Sequence, residues 1–219
     1  MQPQKSGRPS RPATAFIFCP HFGQVGVPGH PLSHGNGFGR IANDLYSPHD
    51  PTYNHALAQR PYDLDQARSL LRQAGQDDLR VELTTTPGPG VNAALVFAQQ
   101  VQKAGVQVKV NQVDGSVFNG PQREQWQLSP GSTPARGFLA SALHNDAPQA
   151  IYNRSNFHDP RFTELFHQAL AQPDLERRKA LVHEAQVIQH ERGGLLIWGF
   201  SDVLDAASAK VGGLAPEQT

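Results

Sequence analysis

The chain of 219 residues carries 19 basic and 19 acidic side chains, zero formal net charge and 38% apolar residues. That balance excludes a chain-wide electrostatic pull towards nucleic acid or an anionic membrane, and no run of Lys or Arg interleaved with aromatics supplies a local one. Its single cysteine, Cys19, excludes an internal disulfide and a thiolate metal cluster, and no stretch reaches the roughly 18 apolar residues of a membrane span.

Gly and Pro, 20 and 18 residues, crowd into residues 1–61 and 114–160, leaving ordered blocks at 62–113 and 159–213. The N-terminal MQPQKSGRPSRPATAFIFCP has only the short apolar run Ala15 to Cys19, less than the roughly 7 to 15 residues of a signal peptide, so no export signal is visible. Cys19 lies in a Pro-rich setting with no helix to position a nucleophile. Gly35, Gly37 and Gly39 lack the preceding strand and following helix that a nucleotide-binding loop requires. GHPLSHGNGFGRIANDLYSPHDPTYN reads as an extended, turn-rich segment in which Pro48 and Pro51 fix the backbone.

Order begins at RPYDLDQARSLLRQAG. Asp63 caps a helix, Gln66 stands three residues later, and Ala67, Leu70, Leu71 and Ala74 form one apolar stripe that Gly75 ends. In LRVELTTT, Leu79, Val81 and Leu83 alternate as a strand with one covered face does. After PGPG a second helix carries Val91, Ala94, Leu95, Ala98 and Val101 to Gly105, and VQVKVNQV alternates again. Strand, helix and strand make a βαβ unit with parallel strands.

Residues 114–158 show little regular pattern beyond a short helix at FLASAL, as ligand-facing or mobile loops do. Asn153-Arg154-Ser155 matches the glycosylation triplet, which means little without a eukaryotic secretory context. Regularity returns at HDPRFTELFHQALAQPD: Asp159 caps, Pro160 takes the first helical position, and Phe162, Leu165, Phe166, Ala169 and Leu170 form the stripe. Asp174 opens a further long helix to Arg192, with Leu181, Ala185 and Ile188 inward. Arg177, Arg178 and Lys179 form a solvated face, and His183 and His190 read as surface or rim histidines. The run Leu195 to Phe200 reads as a buried strand.

These pieces, RPYDLDQARSLLRQAG, LRVELTTTPGPG and VQKAGVQVKVNQVD, then FHDPRFTELFHQALAQPDLERRKALVHEAQVIQHERGGLLIWGF, resemble in order and spacing the C-terminal part of bacterial extracellular solute-binding proteins of family 5. Those are the peptide, nickel and oligosaccharide receptors of ABC importers. The upstream GNGFGRIANDLYSPHDPTYN is similar to the loop before that block. The resemblance implies an α/β, periplasmic-binding-protein-like fold: mainly the inserted second lobe, with a return segment to a first lobe largely missing from this chain. It divides the chain into an irregular segment 1–34 outside the fold, an extended interlobe or first-lobe linker 35–61, an α/β ligand-binding lobe 62–192, and a return strand and tail 193–219. The strand at Leu195 to Phe200 is then expected to find its sheet neighbours in the missing lobe.

The function implied is capture of a peptide-like solute in the periplasm for an ABC-importer membrane permease, in a truncated form, with a separately encoded N-terminal lobe as a further partner. No cofactor, metal or nucleic acid is implied. In peptide-binding members an aspartate three residues after a tryptophan holds the ligand's amino group; here the pair is Trp126 and Ser129, and serine offers a hydrogen bond without charge. Arg136 in WQLSPGSTPARGFL is placed to meet a carboxylate or phosphate, and Tyr152 and Asn153 to line the cleft. Ser129 and Ser132 lack a His and carboxylate in catalytic order, which points away from an enzyme. Two alternatives stand beside this: a small enzyme with its site in loop 114–158, and a non-functional remnant of a fragmented gene.

Overall fold

The computed structural model describes residues 39–201, 206–208 and 210–213. The expectations for residues 1–34, Cys19, Gly35, Gly37 and most of the tail beyond 201 lie outside them.

Local sequence explains the first half. Helix α1 (Leu64–Gln73) starts where Asp63 accepts the Gln66 N–H at 2.8 Å. It ends at Gly75, whose φ of 64° lets the Gln76 N–H turn back to the Leu71 carbonyl at 2.9 Å. Strands β2 (Arg80–Thr85) and β3 (Gln107–Gln112) pair in parallel, Val81 opposite Val108 and Leu83 opposite Val110. Helix α2 (Pro89–Gln102) makes the crossover. Gly105, at φ 102°, closes that crossover as the Val106 N–H reaches the Val101 carbonyl. The expected βαβ unit is present. Ala67, Leu71, Val81, Val101, Ala104 and Val106 form its core, with Phe97 and Leu128 packed against it.

Helix faces are narrower than the apolar stripes. Leu70 on α1 is 55% exposed and Leu95 on α2 is 53% exposed, because one covering layer hides only part of a stripe. The alternation in β2 also stops early. Thr84 and Thr85 are both buried, since Leu128 adds a third parallel rung beside Leu83, with Thr84 N–H donating to its carbonyl at 2.9 Å.

The stretch 114–158 is more regular than its sequence suggests. It holds helix α3 (Gly115–Phe118), a 3₁₀ turn (Pro121–Gln125) and helix α4 (Phe138–Asn145), the last at the expected FLASAL. Phe138 and Ala142 of α4 lie in a second core with α5 (Pro160–Ala171) and α6 (Leu175–Arg192). Asp159 caps α5 through the Phe162 N–H, and Asp174 caps α6 through the Arg177 N–H. Phe162, Leu165, Phe166 and Ala169 are fully buried, whereas Leu170 is not. On α6, Leu181 packs half-buried against this core as expected, Val182 is buried more fully, and two amides, Gln186 and Gln189, are buried beside it.

Residues 42–60 and Asp146 supply partners to those amides, although Gln189 Oε1 stays buried without one among the described residues. Gln186 Oε1 accepts the Asn54 N–H at 2.8 Å, and Gln189 Nε2 donates to Asp146, which also accepts the Tyr46 hydroxyl at 2.6 Å. Asp50 accepts the Phe138 N–H and so caps α4 from outside the helix. Asp44 pairs with Arg60 at 3.3 Å, and Arg60 also donates to the His190 carbonyl. His190, expected at the rim, is half-buried and touches Asn43 Oδ1 through Nε2. Burial pushes the Asp146 carboxyl up to about 7 against the Tyr46 bond, and Asp44 up to about 6 against Arg60.

The late apolar run differs from expectation. Only Gly199–Ser201 forms a strand (β4), and its neighbour is in this chain: β1 (Gly39–Ile41), antiparallel, Arg40 opposite Phe200. Leu195 and Ile197 pack against the helical core, and Trp198 is 38% exposed. Asp44 ends the ladder on the side of Ile41 and Gly199. At φ 57° it leaves extended geometry, and its carboxylate takes the Ile197 N–H at 2.9 Å.

Candidate functional site

The expected ligand-contacting residues fall in four places. Ser129 follows Leu128 at the carboxyl ends of the parallel strands, where open α/β sheets hold ligands. Gly90 opens α2 beside it; a Cβ there would meet Thr85 Oγ1 at 3.0 Å and Pro130 Cγ at 3.8 Å. The absence of a side chain lets the helix start, the strand end and the 129–130 segment approach one another. Trp126 ends the 3₁₀ turn, half-buried, its indole N–H donating to the Phe118 carbonyl at 3.3 Å.

Tyr152 lies in the turn after α4. Its N–H donates to the His144 carbonyl, and its ring stands 4.4 Å from the His144 imidazole. Arg123 lies over the same ring at 5.6 Å and Arg154 at 5.8 Å, with Arg154 also 5.7 Å from the Phe118 ring. Phe118 thus links the Trp126 and Tyr152 neighbourhoods. Asn153 is occupied by its own turn: its amide donates to the Phe157 carbonyl at 2.8 Å, and its Oδ1 accepts from the Phe157 N–H and the Ser155 hydroxyl. Arg136 is exposed; its carbonyl accepts the Ser141 hydroxyl, and its guanidinium makes no ion pair with another described residue.

Sequence reading misses Arg123, His144, Arg154 and Phe118. They come from α3, the 3₁₀ turn, α4 and the turn after it, and share no spacing that announces a cluster. The set offers hydrogen bonds, guanidinium charge and aromatic faces. Among the described residues, no group of three His, Cys, Asp or Glu is placed to hold a metal ion, and no helix is long and apolar enough to cross a membrane.

The family profile described as bacterial extracellular solute-binding proteins, family 5 Middle, matches residues 34–156. The chain belongs to this family. It is a family of binding proteins, not of enzymes. Among curated relatives, di/tripeptide-binding protein 4 of Pseudomonas aeruginosa (strain UCBPP-PA14) is 28% identical, over 69% of this chain and 31% of its own length. The dipeptide-binding protein of Escherichia coli (strain K12) is 27% identical, over 81% and 36%. This family member therefore spans about a third of the length of the curated relatives it matches.

Solved structures share the fold. The periplasmic binding protein DppA from Helicobacter pylori, in complex with the peptide STSA, superposes with a TM-score of 0.65 at 23% identity, covering 75% of this chain and 34% of that one. HbpA2 from Haemophilus parasuis gives 0.67 at 22%, covering 78% and 36%. The fold is mixed α/β and periplasmic-binding-protein-like.

Proposed function

We propose that this family member captures a peptide-like solute in the periplasm and presents it to the membrane permease of an ABC importer, without chemistry. The observation that carries the reading is the family match over residues 34–156, more than half the chain. The names of its di/tripeptide-binding relatives favour peptides as the solute. In this reading residues 62–192 are the ligand-binding lobe, 35–61 the interlobe segment and 193–219 the return towards a first lobe, whichever polypeptide carries it.

The β1–β4 ribbon supports that arrangement. A two-stranded sheet is marginal by itself, and among the described residues neither strand pairs with a third, which suits completion by strands of a first lobe. Ser129, Trp126 and Tyr152 contact the solute, Arg136 meets an acidic group on it, and Asn153 holds the turn that presents Tyr152. One lobe alone offers one wall, whereas such sites usually bury about 70% or more of a ligand, so weak affinity is expected from this chain alone.

Titration calorimetry of the 219-residue chain with di- and tripeptides tests this. Saturable binding with a Kd between about 10 µM and 1 mM is the expected result. The absence of saturation at any accessible peptide concentration overturns it.

A further inference from the structure

We propose that the Tyr152 face flanked by Arg123 and Arg154 is a carboxylate-binding site that holds the C-terminal carboxylate of the captured peptide. The inference rests on the solute-capture reading and names the group on the solute that this surface recognises.

Three observations meet there. First, two guanidiniums from turns 31 positions apart in sequence stand over one aromatic ring, at 5.6 and 5.8 Å from its centroid. Each such contact is worth about 0.5–1 kcal/mol at an exposed site, enough to orient an arginine and leave its N–H edges available as donors.

Second, neither arginine forms an ion pair with another described residue. Arg154 has a long 3.4 Å bond from Nη2 to Asn119 Oδ1, a neutral acceptor. Elsewhere Arg161 and Arg192 meet carboxylates at 2.8 Å. Two like charges gathered over one ring repel each other, and an anion between them reverses the sign of that interaction. A carboxylate fits best, because the guanidinium fork matches its two oxygens with paired, charge-assisted hydrogen bonds.

Third, the surroundings suit a peptide end rather than a bare ion. Both arginines are half-buried, the His144 ring stacks on Tyr152, and the Phe118 ring lies under Arg154. The neighbouring turn opens on a depression of about 340 Å³ lined by Ser116, Val117, Gly120, Pro121 and Gln122. An apolar wall beside a charged anchor is how small-ligand sites combine area with orientation.

The test compares Ala-Ala-Ala with its C-terminal amide, by calorimetry and by tryptophan fluorescence, since Trp126 is hydrogen-bonded to Phe118 next to Arg154. The native chain is expected to bind the free acid at least about tenfold more tightly than the amide. The Arg123→Gln/Arg154→Gln double variant is expected to close that gap with no more than the roughly 2–8 °C fall in thermal midpoint that loss of both ring contacts entails. Equal binding of acid and amide by the native chain, or a gap that survives in the double variant, overturns the carboxylate site and leaves solute capture standing. Failure of both peptides to bind overturns both readings. If the double variant does not fold, Arg123→Gln alone is decisive, because it must narrow the gap.

Discussion

The βαβ unit between α1 and Leu128 and the helical unit from α4 to α6 stand side by side in one chain but are built on opposite plans. The first is closed by neighbours in sequence. Its core is of small aliphatic side chains, none aromatic, and its order is set by a parallel ladder and two glycine turns. The second buries three phenylalanines, Phe138, Phe162 and Phe166, and is sealed by polar contacts from residues about 100 positions away, such as Tyr46 to Asp146. A thin core on a regular ladder tolerates loss of one side chain. A thick core with buried carboxyls depends on each partner being in place.

The sharpest test of that contrast is volume. Phe162→Ala removes a fully buried ring in contact range of both Phe138 and Phe157 and is expected to cost about 3–5 kcal/mol. Leu71→Ala in the βαβ core is expected to cost about 2 kcal/mol, the low end for its type. Urea unfolding of both variants checks the order. A Leu71 variant as damaging as the Phe162 variant would break the comparison.

The next effect is of pH and belongs to the helical unit. Asp146 titrates at about 7 in the folded chain against 3.8 for the ordinary carboxyl, and Asp44 at about 6. The folded state thus holds these protons more tightly than the unfolded one. Their contribution is fully present below pH about 4 and is lost as pH rises through about 6 to 7. His190, held below its usual value by burial and then by Arg60, opposes this, losing stability as pH falls below about 6.5. The advantage of the native chain over Asp146→Asn is therefore expected to be larger at pH 5 than at pH 8. The difference should be about 1–4 kcal/mol, since each tenfold gain in proton affinity on folding is worth roughly 1.4 kcal/mol. Thermal midpoints of both proteins across that range measure it, and an unchanged difference means that Asp146 carries none of the pH dependence.

The smallest effect returns to the βαβ unit. Asp63→Ala deletes the α1 cap bond to Gln66 and is expected to cost about 1 kcal/mol. A larger loss in urea unfolding would mean that α1 carries more of the structure than its two buried residues, Ala67 and Leu71, suggest.

What the sequence reveals follows the same division. The α1, α5 and α6 caps and the parallel pair lie within a few residues or one crossover of their causes, and all are legible. The outward faces of Leu70, Leu95 and Leu170 are not, because periodicity marks a stripe and only the neighbouring layer decides how much of it is covered. Gln186 and Gln189 read as surface residues until Asn54 and Asp146 reach them from distant segments. Among the candidate site residues, the place of Ser129 is not legible either, because the Leu128 rung beside Leu83 lies in a stretch without a strand pattern. Nor are the arginines around Tyr152, since they come from two turns far apart in sequence. The partner of the late apolar run is hidden likewise, far upstream, where Gly39 stands opposite Ser201.

That pairing fixes how the molecule can be attached to anything larger. Antiparallel β1 and β4 bring residues 39 and 201 into register, so the two ends of the stretch 39–201 lie side by side. A body threaded this way can hang from a host fold by two adjacent strands, and grafting it into a surface loop disturbs neither of its cores.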